Sequence, residues 1–334
     1  MARRTSLLIC ALVCGALRAG AADAPYIRGM TVSCQTGGRE WGTPGMGTAL
    51  DRLKTIGVNY VAIHPYAQIR EDGAVKYRPI GEQTHLVRAM AMAKERGFGM
   101  MMIPHLAYWG TKFKWRGEIY FPPGPMWDHF FDEYEAWIVG LAGLAAQGGA
   151  EIFSIGHEYD HMMYYEAQWR RIIASVRKVF PGKITYNANW SEYEKVPFWD
   201  ALDYIGIGAY FPIALQDGAP QEEIDATWTK LAQELGAYSR AKGRPILFTE
   251  IGYTESAEAA SRPWNYDMGG PNARDIRQRC TEAALKLEGA PFPELAGVFF
   301  WKWFPDVTFE MHRENFDMRD PEMTALLQQC WAPN

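Results

Sequence analysis

Short apolar runs alternate with longer amphipathic segments over most of the chain. Eight runs have the length and composition of strands, and the segments between them space their apolar residues three and four apart, as helices do. The predicted strands are residues 28–33, 59–64, 99–105, 151–156, 184–189, 204–210, 246–250 and 297–303. The predicted helices are residues 48–56, 82–95, 126–146, 166–179, 222–241, 272–287 and 321–330, with a short one near 197–202.

The apolar runs lack the strict alternation of a half-exposed sheet, which indicates parallel strands covered on both faces. Eight strand–helix units predict an α/β fold of one domain, the closed (β/α)8 or TIM barrel. A length of 334 residues accommodates one barrel of about 250 residues with its loops. No Ser/Gly-rich linker divides the chain. The first strand also lacks a Gly-rich phosphate turn, which argues against a dinucleotide-binding sheet.

The first 21 residues have the pattern of a secretory signal peptide. Arg3 and Arg4 precede the apolar stretch 7–17, and residues 19–21 supply small residues for cleavage. The apolar stretch is shorter than the roughly 20 residues of a membrane-spanning helix. We therefore expect a secreted or periplasmic protein whose catalytic domain is residues 22–334.

Charge and cysteine content narrow the functional classes. Without residues 1–21 the chain has 31 basic and 39 acidic residues, a net charge of −8, and no basic run. This disfavours nucleic acid and anionic membranes as partners. Cys34, Cys280 and Cys330 are too few for a disulfide framework or a zinc cluster. Cys280 and Cys330 are compatible with one disulfide or with free thiols.

Two predicted strands end in a glutamate. Residues 151–156 run into His157 and Glu158, and residues 246–250 end at Glu250. The carboxyl ends of barrel strands carry the catalytic groups of this fold. Because glycoside hydrolysis uses two carboxyl groups that flank the scissile bond, Glu158 and Glu250 are the predicted catalytic residues.

Polar and aromatic residues at the other strand ends are predicted to bind the substrate. Aromatic residues make up 14% of the chain, and several fall in loops, where flat rings commonly line a ligand groove. The predicted substrate-binding residues are His64, His105, Trp109, His157, Asn187, Asn189, Tyr210, Trp264, Trp301 and Trp303. A carbohydrate is the expected partner, and no metal or cofactor is expected.

Three motifs resemble one family of enzymes. They are Ile155-Gly-His-Glu158, Thr249-Glu-Ile-Gly252 and Phe300-Trp-Lys-Trp-Phe-Pro305. The chain resembles the clan of retaining glycosidases with an acid/base Glu after the fourth strand and a nucleophile Glu after the seventh. It is most similar to glycoside hydrolase family 113, whose studied members are β-mannanases, over roughly residues 26–331.

The resemblance implies a role for each matching residue. Glu158 would be the general acid/base, Glu250 the nucleophile, Tyr210 a hydrogen-bond donor to Glu250, and Trp301 the floor under the cleaved sugar. His157 stands where the clan often has Asn. In a retaining glycosidase the two carboxyl groups lie so close together that both cannot easily be ionised. We therefore expect a raised pKa for Glu158 and an ionised Glu250.

Three other functions fit parts of the sequence. Residues 157–161 spell H-E-x-x-H, a zinc peptidase motif when helical, but here a strand and Gly156 precede it. His64, His105 and His157 at strand ends are compatible with a metal-dependent barrel hydrolase. The loop aromatics also suit a non-catalytic carbohydrate-binding barrel.

Overall fold

The computed structural model describes residues 25–307 and 315–332. Its strands are β1 (Ile27–Val32), β2 (Tyr60–Ile63), β3 (Tyr66–Ile69), β4 (Val75–Lys76), β5 (Gly99–Met102), β6 (His105–Ala107), β7 (Ile152–His157), β8 (Lys183–Asn189), β9 (Ile205–Gly208), β10 (Ile246–Ile251) and β11 (Leu295–Trp303). Its helices are α1 (Pro44–Thr55), α2 (Thr84–Glu95), α3 (Pro125–Gly148), α4 (Glu166–Val179), α5 (Gln221–Lys242), α6 (Ala273–Leu285) and α7 (Pro321–Trp331). The predicted signal peptide lies outside the described residues.

Eight strands close into a parallel barrel in the order β1-β2-β5-β7-β8-β9-β10-β11, with β11 paired to β1. The predicted (β/α)8 fold is therefore confirmed. The short helix predicted near 197–202 is a single 3-10 turn, Trp199–Ala201, so one barrel strand is followed by no α-helix.

Three further strands were not predicted. β4, β3 and β6 form a small sheet built from the segments that follow the second and third barrel strands. As a consequence the third barrel strand ends at Met102, and His105 begins β6. These strands are two to four residues long, too short to show a sequence period.

Helix ends follow local chemistry. Pro occupies the first helical position of α3, where its missing N–H is harmless, and Gly149 ends that helix in the left-handed conformation. Gly243 ends α5 in the same way. Asp320 caps α7 by accepting a hydrogen bond from the Met323 N–H at 3.0 Å.

Two apolar layers position the site. The larger one lies between the strands and the surrounding helices. A smaller cluster includes Ile27, Ala62, Ile152, Leu247 and Phe299, each from a different barrel strand. The catalytic strand ends come after these residues in β7, β10 and β11. No helix among the described residues is both long and apolar enough to cross a bilayer.

Candidate active site

Glu158 directly follows β7 and has a left-handed backbone, with φ of 56°. A non-glycine residue in this region costs on the order of 1–3 kcal/mol, and such residues cluster at functional sites. Two hydrogen bonds hold the turn: the Glu158 N–H donates to the Asn187 carbonyl at 2.8 Å, and the Tyr159 N–H donates to the Tyr186 hydroxyl at 2.9 Å. The neighbouring strand β8 thus fixes where the Glu158 side chain begins.

Glu250 lies within β10 and is 4% exposed. The Tyr210 hydroxyl donates to its Oε2 at 3.2 Å. On the other side, His105 Nε2 and His157 Nε2 each lie 3.5 Å from Oε1. Burial and the charge of Glu250 raise the pKa of Tyr210 well above its usual value, so its hydroxyl remains a donor.

The two carboxyl groups, called the acid pair below, share one neighbour. His157 Nε2 lies 3.6 Å from Glu158 Oε2 and 3.5 Å from Glu250 Oε1. Those two oxygens are therefore at most about 7 Å apart, a bound that admits the roughly 5–5.5 Å of a retaining glycosidase.

Burial changes the ionisation of the acid pair. It raises the pKa of Glu158, against the positive charge of Arg116. Burial and repulsion from Glu158 raise the pKa of Glu250 to about 8, against Arg116 and the Tyr210 hydrogen bond. The expected rise for Glu158 is present, but Glu250 is raised as well. Because an ionised Glu158 repels a negative charge on Glu250, the two carboxyl groups resist being ionised together.

Three histidines stack beside the acid pair. The ring centroids of His105 and His157 are 3.8 Å apart, those of His64 and His105 are 4.8 Å apart, and Trp301 stacks on His105 at 5.8 Å. Burial lowers the pKa of His105 and of His157 well below the usual value, and that of His64 to about 3. All three rings are neutral at physiological pH.

Two site residues were missed in the sequence. Arg116 lies in a 3-10 turn of the aromatic loop 108–125, and its buried Nη1 has no hydrogen-bond partner among the described residues. Its charge favours ionisation of both glutamates. Tyr66 in β3 packs edge-on against His64 and His105. The aromatic loop 108–125 also contains Lys112 and Lys114, so its sequence did not single out Arg116, and no sequence signal distinguished Tyr66.

The loop aromatics form the rim of the site. Trp264 is 43% exposed and stacks on Trp190 with centroids 5.2 Å apart. Trp109 is 61% exposed and lies 5.6 Å from the Tyr66 ring. Asn189 is partly exposed at the end of β8, where it accepts a hydrogen bond from the Ser191 N–H.

Three of the predicted binding residues have buried side chains, and their part in substrate binding stays a prediction. His64 is fully buried, with Nε2 3.0 Å from the Ser33 hydroxyl. Asn187 is also fully buried, and its amide contacts His157 and Thr249. Trp303 packs in the outer core because the pairing of β11 with β1 shifts after Trp301.

The metal hypotheses are not favoured by this geometry. His157 ends a strand and residues 158–161 are not helical, so H-E-x-x-H lacks the helix that a zinc peptidase needs. Among the described residues, the side chains close enough for a shared ion are His105, His157 and Glu250, without His64. The three cysteines within the described residues, Cys34, Cys280 and Cys330, are free thiols.

A parallel barrel that brings two carboxyl groups together at the ends of its fourth and seventh strands has the architecture of a barrel glycoside hydrolase. The chain belongs to Glycoside Hydrolase Family 113, whose model matches residues 30–318. The resemblance seen in the sequence is thereby confirmed, and the protein is a glycoside hydrolase.

Solved structures show the same fold. A family 113 β-mannanase from Alicyclobacillus acidocaldarius is 24% identical, with 93% of this chain and 99% of that chain covered and a TM-score of 0.79. A family 113 β-1,4-mannanase is 20% identical, with 93% and 100% covered and a TM-score of 0.79. Another is 21% identical, with 92% and 99% covered and a TM-score of 0.77. The comparison with curated proteins gives no match.

Proposed function

We propose that this glycoside hydrolase cleaves β-1,4-linked mannan or mannooligosaccharides with retention of configuration. The mechanism is supported by the acid pair, in which the buried Glu250 and the partly exposed Glu158 each have a carboxyl oxygen within 3.6 Å of His157 Nε2. The substrate proposal rests on the family and on the similar structures, which are β-mannanases.

The proposed reaction is a double displacement. Glu250 attacks the anomeric carbon while Glu158 protonates the departing glycosidic oxygen, which leaves a covalent glycosyl ester on Glu250. Glu158, now ionised, takes a proton from water as that water attacks the same carbon. The ester bond breaks, Glu250 regains its carboxylate, and Glu158 regains its proton.

The division of roles follows from the donors around each carboxyl. Glu250 accepts from the Tyr210 hydroxyl and has two imidazole Nε2 atoms at 3.5 Å. Glu158 has His157 Nε2 at 3.6 Å. The Tyr210 hydroxyl is a hydrogen-bond donor to Glu250, and a donor stabilises a carboxylate, so we place the negative charge of the pair on Glu250. A proton on Glu158 then removes the repulsion that raises the pKa of Glu250.

The exposed aromatic residues of the rim and the predicted export of the protein also support a polysaccharide substrate. Trp109 and Trp264 offer exposed flat rings on which sugar units would stack outside the cleaved bond. The signal-like residues 1–21 support action on polysaccharide in the periplasm or outside the cell.

The test is hydrolysis of a panel of aryl β-glycosides and β-mannooligosaccharides, with and without EDTA, beside the Glu250→Ala variant. We expect EDTA-resistant cleavage of manno-configured substrates that this substitution abolishes. Proton NMR of the first product should show the β-anomer before mutarotation. The α-anomer would contradict retention, and loss of activity in EDTA would favour the metal hydrolase.

A further inference from the structure

A strand with glycine at alternate positions separates β8 from β10. A Cβ atom on Gly206 would lie 2.5 Å from Thr185 Oγ1 and 3.1 Å from Thr249 Cγ2. One on Gly208 would lie 3.2 Å from Asn187 Oδ1 and 3.2 Å from Glu158 Oε1. Because β9 offers no side chain here, residues of β8 and β10 meet across it.

The contact across β9 is a buried hydrogen-bond chain. The Thr249 hydroxyl donates to Asn187 Oδ1 at 2.7 Å, and Asn187 Nδ2 lies 2.7 Å from His157 Nδ1. Thr249 and Asn187 are fully buried and His157 is 1% exposed, so water does not compete for these groups. The chain ends beside the acid pair, because the other nitrogen of His157 is the one that lies between the glutamates.

This hydrogen-bond chain determines which nitrogen of the His157 ring carries the proton. With Asn187 Oδ1 engaged by the Thr249 hydroxyl, the amide presents an N–H to His157 Nδ1, which must accept. A neutral imidazole has one N–H, and it is then on Nε2. An Nε2–H is attracted to both carboxyls at 3.5 and 3.6 Å, whereas the other tautomer would direct a lone pair at them.

We propose that Thr249 and Asn187 are positioning residues that hold His157 as its Nε2–H tautomer, so that this N–H holds the acid pair in place. The expected effect on catalysis rests on the proposed function, whereas the assignment of the His157 tautomer is independent of it. The competing arrangement has the amide of Asn187 reversed. Thr249 then accepts from Nδ2, and His157 donates from Nδ1.

The variants are chosen as matched pairs. Thr249→Val keeps the side-chain shape but removes the hydroxyl, and Thr249→Ser keeps the hydroxyl. Thr185→Val makes the same substitution at a fully buried Thr of β8 whose hydroxyl bonds to backbone carbonyls of Tyr186 and Tyr204 instead. Asn187→Leu removes the chain at its centre and serves if Thr249→Val fails to fold.

The readout is nitrogen-15 NMR of protein labelled in its histidine rings, with the His157 signal assigned from a His157→Gln sample. We expect a single Nε2–H tautomer in the wild type, Thr249→Ser and Thr185→Val. Thr249→Val should populate the Nδ1–H form and lower kcat by about tenfold, the order of one buried hydrogen bond. KM should change less, and Thr249→Ser should restore kcat.

Three results would overturn the proposal. They are an Nδ1–H tautomer in the wild type, an unchanged tautomer in both Thr249→Val and Asn187→Leu, and a tautomer shift that leaves kcat intact. Absence of turnover on every glycoside would instead refute the proposed function. The NMR result would still decide the tautomer.

Discussion

The two glutamates of the acid pair occupy contrasting surroundings. The Glu250 side chain is 6% exposed, starts from a regular strand, and is contacted by Tyr210, His105 and His157. The Glu158 side chain is 16% exposed, and its residue has a left-handed backbone just past the end of its strand. His157 Nε2 lies 3.6 Å from its Oε2. One carboxyl is held from several sides, and the other faces the open end of the barrel.

The contrast matches the two tasks of a double displacement. A nucleophile must keep one geometry through the formation and hydrolysis of an ester, so fixed donors help it. An acid/base must lose and regain a proton in every cycle, which requires contact with the leaving group and then with water. Substitution of each carboxyl group and of its neighbours tests this division of tasks.

Glu250→Ala should be the most damaging change. Without a nucleophile no ester forms, and we expect kcat/KM on an aryl β-mannoside to fall by about 10⁴ or more. The measurement is steady-state kinetics of purified protein whose melting temperature shows that it is folded. Adding azide should restore turnover and give the α-glycosyl azide, since the small anion would occupy the space that the carboxylate leaves.

Glu158→Ala should separate substrates by their leaving group. A good aryl leaving group departs without a proton, so its cleavage step should suffer far less than that of a mannooligosaccharide, where we expect a loss of about 10³. The test is the ratio of kcat/KM for activated and unactivated substrates in the variant and in the wild type. An equal loss for both would contradict the assignment of Glu158 as the acid.

Tyr210→Phe removes one donor from Glu250 and leaves the ring in place. A hydrogen bond to a charged group contributes about 1.5–3 kcal/mol, so kcat should fall by roughly 10- to 100-fold. The acid limb of the variant's pH profile should also move to higher pH, because the lost donor had favoured the ionised form of Glu250. A full pH profile checks both effects. An unchanged profile would show that Tyr210 does not support the nucleophile.

The barrel could be predicted from the sequence because the sequence patterns of its strands and helices are local. The apolar runs, the helical spacing and stops such as Gly149 and Gly243 fall within short windows, and the predicted elements agree with the structure to within a few residues. Glu158 and Glu250 were recognisable because each closes such a run. β3, β4 and β6 carry no comparable signal, because they are short and pair with one another only in three dimensions.

What surrounds the acid pair depends on packing between distant segments. Asn187 and His64 end apolar runs as Tyr210 does, yet their polar atoms bond to Thr249, His157 and Ser33. The direction of each side chain depends on register shifts that leave no sequence period, such as those of β10 against β9 and β11. Strand ends therefore predict candidates for a site, but not which of them face the substrate.

The pH profile should distinguish the two carboxyls. In the proposed mechanism the acid pair must hold one proton, so the rate should rise as the first proton leaves the pair and fall as the second leaves. In Glu158→Gln the repulsion is gone, so the pKa of Glu250 should fall below about 8. With an activated aryl substrate, the rate of this variant should rise with pH and should not fall at alkaline pH. A retained alkaline limb would place the second ionisation elsewhere.

The smallest effect should come from the rim. Trp264 stacks on Trp190 and keeps 43% of its surface exposed, so its outer face is free to receive a sugar ring. A stacking contact of about 1 kcal/mol predicts a roughly fivefold higher KM for mannooligosaccharides in Trp264→Ala. Because an aryl monosaccharide ends at the acid pair, its kinetics should not change, and Trp264→Phe should recover much of the oligosaccharide KM. An equal loss for both substrates would mean that the substitution disturbs Glu250, and the separation between a fixed catalytic centre and an adaptable rim would fail.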